Sequence, residues 1–354
     1  MQFGLQSPVF SPADGISPAE SFAFQALFSK IALDSGFDCV SLGNHLVEGP
    51  DVSLFQPFPA AAALMAKFPE LYVMTSSFCS PYYGSVPIAQ EIATLDAISP
   101  GAFLFGLGQG YIEKEARAAG IEQGSRRDRV AETIAICRLL WSDSHATFRG
   151  EYSDFADADI GFRPAVPPPI LVSADRPRTI ARIPAIGGDY WLSSPRHGTP
   201  FIREGLEIYR RALDEAGQEF RGVVIQRDVS IAATKEEADD ALREAYERQM
   251  RHQHSQGQPQ PGLQNNLPFD QLKDERILSG TADQIVEQIV ALCEITGTAY
   301  IHLRVHALGG PLDRSLDLIR QLGEEVLPQV RRAITGKDLF PDRRGGAGQA
   351  SSAH

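Results

Sequence analysis

Val86-Pro-Ile-Ala-Gln-Glu-Ile-Ala-Thr-Leu-Asp-Ala-Ile-Ser-Pro-Gly-Ala-Phe-Leu-Phe-Gly-Leu-Gly-Gln-Gly110 is the stretch that decides the fold. Its first half spaces Ile88, Ala89, Ile92, Leu95 and Ile98 by threes and fours, the pattern of one apolar helix face. Pro87 suits a first helical turn, and Ser99-Pro100-Gly101 stops the helix. Ala102 to Leu107 is short, apolar and aromatic, as a strand buried on both faces requires. It runs into Gly106-Leu-Gly-Gln-Gly110, where backbone at a strand's carboxyl end can come close to a ligand. Helix, turn, buried strand and glycine loop make one unit of a parallel α/β fold, either a barrel or a doubly wound sheet.

The same alternation extends in both directions. Upstream, the pattern predicts a strand from Phe3 to Gln6, a helix over 19–35 closed by Gly36, and a strand from Phe37 to Leu42. A helix from Pro57 to Lys67 and a strand from Leu71 to Thr75 follow. Downstream come helices over 125–142, from Pro177, over 199–216, 235–251, 281–297 and 312–333, with strands over 169–173, 189–192, 223–231 and 299–305 between them. Residues 143–168, rich in Asp, Gly and Pro, read as a surface insertion. Residues 252–276 are long, polar and broken by Gly and Pro, as a lid or a mobile loop would be. About eight strand–helix units is the count of a closed (β/α)8 TIM barrel. A single domain over 1–336 is expected, followed by a disordered basic tail over 337–354.

Composition narrows the ligand. A net charge of −12 leaves no basic face for nucleic acid or an anionic membrane, and favours a small molecule. Cys39, Cys79, Cys137 and Cys293 lie far apart without a C-x-x-C pair, so they read as reduced core residues of a cytoplasmic protein. Met1-Gln-Phe-Gly4 has neither a basic nor an apolar leader region, and no apolar run reaches the roughly 18 residues of a membrane span.

In a parallel barrel the ligand meets the carboxyl ends of the strands. Those positions hold Gln6-Ser7, Asn44-His45, Ser76-Ser77, Gln109-Gly110-Tyr111, Ser173 to Arg178, Ser193-Ser194, Arg227-Asp228 and Arg304-Val305-His306. The set is poor in carboxylates, so no acid pair stands ready for glycoside hydrolysis, and no nucleophile elbow or Walker loop occurs. His302 and His306 alternate on the last strand but lack a third ligand, and no metal is expected. Ser173-Ala174-Asp175-Arg176-Pro177-Arg178 offers amide groups, a helix N-terminus and two arginines to a phosphate, and reads equally as a surface loop with solvated arginines. His45 reads first as a packed strand-end histidine, and otherwise as a proton carrier.

Taken in order, Phe37-Asp-x-Val with Asn44-His45, Thr75-Ser-Ser77, Pro87 to Ser99 and Phe105-Gly-Leu-Gly-Gln-Gly110 resemble the bacterial luciferase-like monooxygenase family. Phe148-x-Gly-x-Tyr152, Pro168 to Ala174, Gly188-Asp-x-Trp191 and Glu325-Val-Leu-Pro328 continue that order, so the resemblance covers roughly residues 1–333. It implies an α/β barrel, often a homodimer, that binds a flavin or deazaflavin at its carboxyl mouth. It also implies that His45 is the active-site histidine and that Ser76-Ser77 is a cis peptide against which the ring packs. Gln109 and Gly110 then border the cofactor, and Ser173, Ala174, Asp175, Arg176 and Arg178 form its phosphate loop. Three positions depart from the family: Gly101-Ala102 where Gly-Arg is frequent, Gln109 where luciferase has a phosphate-binding arginine, and Gly108 at luciferase's reactive cysteine.

The leading expectation is a monooxygenase that uses reduced FMN and O2 on a small organic substrate, with a separate flavin reductase supplying the cofactor. A deazaflavin-dependent hydride-transfer oxidoreductase is the alternative, which Gln109 leaves open. A flavin-binding protein without turnover is a third.

Overall fold

The computed structural model describes residues 1–11, 15–47, 52–255, 268–306, 310–334 and 338–341. Among them, eight parallel strands close into a ring: β1 (Gln2–Gln6), β2 (Cys39–Leu42), β3 (Tyr72–Thr75), β4 (Phe103–Gly108), β5 (Ile170–Ser173), β6 (Tyr190–Leu192), β7 (Val223–Ile231) and β8 (Tyr300–Arg304). Each pairs with the next in chain order, and β8 returns to β1 with Tyr300 to Leu303 opposite Gln2 to Leu5. This is the (β/α)8 barrel that the repeat count predicts, closed so that the ring has no free edge. Around it lie α1 (Pro18–Asp34), α2 (Pro57–Lys67), α3 (Ser85–Ile98), α4 (Glu113–Ala118), α5 (Arg126–Ser142), α6 (Pro177–Ile180), α7 (Thr199–Glu215), α8 (Lys235–Ser255), α9 (Phe269–Arg276), α10 (Ala282–Thr296), α11 (Leu312–Gln321) and α12 (Leu327–Ala333).

The deciding stretch forms α3 and β4. Ile88, Ala89, Ile92 and Leu95 are buried, while Ile98, counted on the same face by spacing, is exposed at the helix end. Asp96 is buried instead. Its carboxylate accepts from Gly101 N at 2.7 Å and Ala165 N at 2.6 Å, tying the helix stop to the insertion. All six residues of β4 are buried. Gly106 is required by packing between strands rather than by a ligand: a Cβ there would lie 1.9 Å from the Thr75 carbonyl oxygen.

Several expectations change. Within 143–168, Ala146–Arg149 and Asp154–Ala158 form an antiparallel hairpin in which Phe148 faces Phe155, with ring centroids 6.0 Å apart. The supposed loop over 252–276 holds the end of α8 and all of α9, and residues 256–267 lie outside the described residues. Phe269 of α9 packs with Tyr246 and Ile277, burial that a polar composition conceals. A further strand, Ile277–Gly280, pairs with the outer half of β7. The final helix is interrupted by a π-helical turn at Leu322–Val326, just before Pro328.

The tail also differs. Asp338 to Pro341 fold back under the amino end of the barrel, while 342–354 lie outside the described residues. The Phe340 ring, 2% exposed, sits among Tyr72, Tyr190 and Tyr300 at centroid distances of 5.5–5.7 Å. Gln2 holds its backbone from both sides, donating to Phe340 O at 2.7 Å and accepting from Phe340 N at 2.9 Å. The Met1 amino group meets Asp338 at 2.6 Å. All four cysteines are buried and none is in a disulfide among the described residues, where no helix is long and apolar enough to cross a membrane.

Candidate active site

A cavity of about 270 Å³ opens at the carboxyl ends of the strands. Of the residues singled out from sequence, His45, Ser76, Ser77, Gln109, Gly110, Ser173, Ala174, Asp175 and Arg176 line it. Arg178 does not. It is exposed on α6, which is four residues long and has little dipole to offer an anion.

The floor is built by close backbone approach. The Ser76–Ser77 peptide is cis, as the resemblance implies. Ser76 Oγ lies 3.4 Å from Gln226 Oε1, and Gln226 in turn donates to the Ser193 carbonyl at 2.6 Å. Gly108 lies opposite, where a Cβ would come 3.4 Å from Ser173 and 3.5 Å from Ser77. Gly110 adopts φ 69°, and Arg126 Nη1 clamps its carbonyl at 2.9 Å.

His45 follows β2. Its Nδ1 lies 3.1 Å from Glu115 Oε2 and its Nε2 lies 3.4 Å from Tyr111 Oη. Glu115, on α4, is fully buried and also accepts from the Leu46 and Val47 amides. Burial pushes its carboxyl pKa up, but the His45 bond and charge and the two amides outweigh that, holding it below the ordinary value. Being ionised, it can only accept, so His45 carries its proton on Nδ1 and turns Nε2 toward the mouth. Cys79 Sγ completes a trio of ligand-type atoms within 4.8 Å of one another. Glu115 Oε1 is taken by amides and Oε2 by the imidazole, an arrangement that suits a shared proton. His302 and His306 do not form a site together. His302 is locked in the barrel between Ser41 Oγ at 2.8 Å and Tyr300 Oη at 2.9 Å, and burial pushes its pKa down to about 3, while His306 lines the mouth.

Positive charge comes from places that strand-end reading missed. Arg127, at the start of α5, and Arg182, after α6, both line the cavity and meet on Asp128 at 3.2 and 3.1 Å. The hydrogen bond from Arg127, with that from Arg182, holds the Asp128 carboxyl below its usual range. Arg304, already in the strand-end set, also lines the cavity and makes a buried two-pronged pair with Asp228, likewise of that set. Arg196, after β6, is 7% exposed and donates to Ser194 Oγ at 3.1 Å and Asp175 Oδ2 at 3.4 Å. Asp175 is thereby paired at the cavity wall: its other oxygen lies 3.0 Å from His197 Nε2.

The luciferase-like monooxygenase family model matches residues 1–299. The chain belongs to this family. A curated relative, the F420-dependent glucose-6-phosphate dehydrogenase of Nakamurella multipartita, is 28% identical over 323 residues, 86% of this chain and 91% of its own. Monooxygenase RslO1 from Streptomyces bottropensis superposes with a TM-score of 0.81 at 23% identity, over 93% of this chain and 99% of its own. An F420-dependent secondary alcohol dehydrogenase in complex with an F420-acetone adduct gives 0.75 at 20% identity, with the same coverage. As a member of the luciferase-like monooxygenase family, the chain is an oxidoreductase.

Proposed function

We propose that this luciferase-like protein is a deazaflavin-dependent oxidoreductase that oxidises a small alcohol or reduces the matching carbonyl compound. The observation that carries the reading is the His45–Glu115 pair. An imidazole with Nε2 toward the mouth, 3.4 Å from Tyr111 Oη, and a buried carboxylate behind it is built to take the proton of an alcohol as its carbon is oxidised. The curated relative, a dehydrogenase named for its dependence on F420, supports this deazaflavin alternative over the leading expectation of reduced FMN and O2.

The residues present fit such a group. The Ser76–Ser77 peptide and Gly108 leave a flat floor free of large side chains. Ser173, Arg176, Arg127 and Arg182 would hold its phosphate, a task for which Gln109 carries no charge. When bound, the deazaflavin would accept or give a hydride, that is two electrons and one proton, while the alcohol's other proton goes to the protein. Glu115 fixes the His45 tautomer and steadies the imidazole when it gains the alcohol proton, and Tyr111 Oη stands where that proton is passed on. A monooxygenase with its own flavin reductase is the second reading, kept by the family match itself. A homodimer in the cytoplasm would suit either.

An anaerobic titration separates the two. The protein is titrated with deazaflavin and, separately, with reduced FMN, and absorbance is followed before and after an alcohol or O2 is admitted. Tight deazaflavin binding, with bleaching on alcohol and no response to O2, is the expected result. Preference for reduced FMN with oxygen-dependent product formation would overturn the proposal and restore the monooxygenase.

A further inference from the structure

Arg196 carries a feature that the reaction above does not use. Its side chain lines the cavity, yet the residue is 7% exposed and its Nη1 has no hydrogen-bond partner among the described residues. A buried guanidinium nitrogen without an acceptor is costly, and folded proteins leave few such groups. Nε and Nη2 are already fixed by Ser194 and Asp175, so the plane of the guanidinium is set before any ligand arrives. Its central carbon lies 6.0 Å from the centre of the Tyr111 ring, and that ring stands edge-on to His45 with centroids 5.3 Å apart. The open donor is therefore one aromatic ring away from the group that handles the proton.

The charge of Arg196 has a partner. Asp175 Oδ2 is 3.4 Å away, and His197, on the other side of Asp175, is kept neutral by burial, which lowers its pKa. The next cation, Arg227, spends its Nη1 on the His197 and Gln226 carbonyls. A second anion brought to Nη1 would also be brought to Asp175. An uncharged oxygen meets no such repulsion.

We propose that Arg196 Nη1 is the anchor for an uncharged oxygen substituent, a hydroxyl or carbonyl next to the reacting carbon, and that Asp175 makes this mouth disfavour carboxylate and phosphate there. The inference rests on the alcohol reading of the same site. It makes the substrate class a neutral diol or hydroxyketone, unlike the sugar phosphate in the name of the curated relative.

The test uses deazaflavin-loaded protein and four secondary alcohols that differ in one substituent: propan-2-ol, propane-1,2-diol, lactate and propane-1,2-diol 1-phosphate. Equilibrium binding is measured first, because it needs no turnover, and kcat/KM second. Wild type is expected to bind the diol about tenfold more tightly than each of the others, the worth of one hydrogen bond from a charged donor. Arg196→Leu should remove that preference. Asp175→Asn keeps an oxygen toward His197, and should improve lactate relative to the diol by about tenfold. A merely structural role for the pair would weaken all four ligands alike. Wild-type preference for lactate or the phosphate, an unchanged diol preference in Arg196→Leu, or binding of none of the four would overturn the proposal. Ordered binding as expected without oxidation of any of them would leave the anchor standing and count against the alcohol dehydrogenase reading instead.

Discussion

Replacing Glu115 by Gln isolates the step on which the proposed chemistry depends. The amide has the same shape, and its oxygen can still accept from the Leu46 and Val47 amides. Its NH2 group, however, now faces His45 Nδ1 across 3.1 Å, where the wild-type imidazole donates. Two donors cannot share that contact, so the imidazole must move its proton to Nε2, the nitrogen needed to accept one from substrate. One charge-assisted hydrogen bond is lost, about 1.5–3 kcal/mol, and because it strengthens as His45 becomes charged, the loss falls on the transition state. The expected result is a fall of about 10- to 150-fold in the rate constant for reduction of bound deazaflavin, read by absorbance in a single turnover. Cofactor affinity should stay within about threefold, since Glu115 does not line the cavity. Acid stability supplies an independent check. A carboxyl held below its ordinary 4.5 contributes stability that is complete above that pH and lost as the pH falls through the lowered value, so the Gln variant should show a shallower decline on the acid side. A folded Glu115→Gln protein that reduces the cofactor at the wild-type rate would refute the claim that His45 works through Glu115.

Other parts of the structure make further predictions. His302 has its pKa lowered from 6.5 to about 3, so its contribution is whole above pH 6.5 and shrinks as pH falls toward 3. Within that window it should cost up to about 1.4 kcal/mol per pH unit, and His302→Gln should flatten the dependence of the urea midpoint on pH. Phe340→Ala should cost about 3–5 kcal/mol in urea unfolding while leaving cofactor affinity intact, because the plug lies at the opposite end of the barrel. An unchanged midpoint would mean that the tail does not seal the barrel in solution. Arg304→Met leaves Asp228 buried without its partner and should cost about 3–5 kcal/mol, whereas adding Asp228→Leu should recover most of that, measured by the same unfolding assay.

Periodicity made the ring legible because the repeated unit is local. The spacing of Ile88, Ala89, Ile92 and Leu95 and the run from Phe103 to Leu107 each announce their element without outside help, and eight such units close in only a few ways. Burial that depends on distant partners left no such trace. Phe340 lies in a basic, small-residue tail, and its anchor is Gln2, 338 positions away. Phe269 opens a charged eight-residue helix whose apolar contact, Tyr246, sits on another charged helix. Neither segment carries enough apolar residues to show a period.

The site divides along the same line. Strand-end reading found His45, Ser76, Ser77 and Ser173 because the fold alone brings the ends of β2, β3 and β5 to one mouth. It could not find Glu115, Arg127, Arg182 or Arg196, which enter from helices and loops, where an acid or arginine is ordinarily solvated. It also named Arg178, which lies outside the cavity lining, since a loop motif does not say which side chains turn inward. The glycine loop shows the limit most clearly. Gly106 and Gly110 look alike in Gly106-Leu-Gly-Gln-Gly110, yet the first makes room for the Thr75 carbonyl, while the second borders the cavity beside Gly108 with a positive φ and a carbonyl clamped by Arg126. A short motif therefore locates a cavity through the backbone it shapes, while the arginines and the buried acid around it come from residues that only the closed barrel brings together.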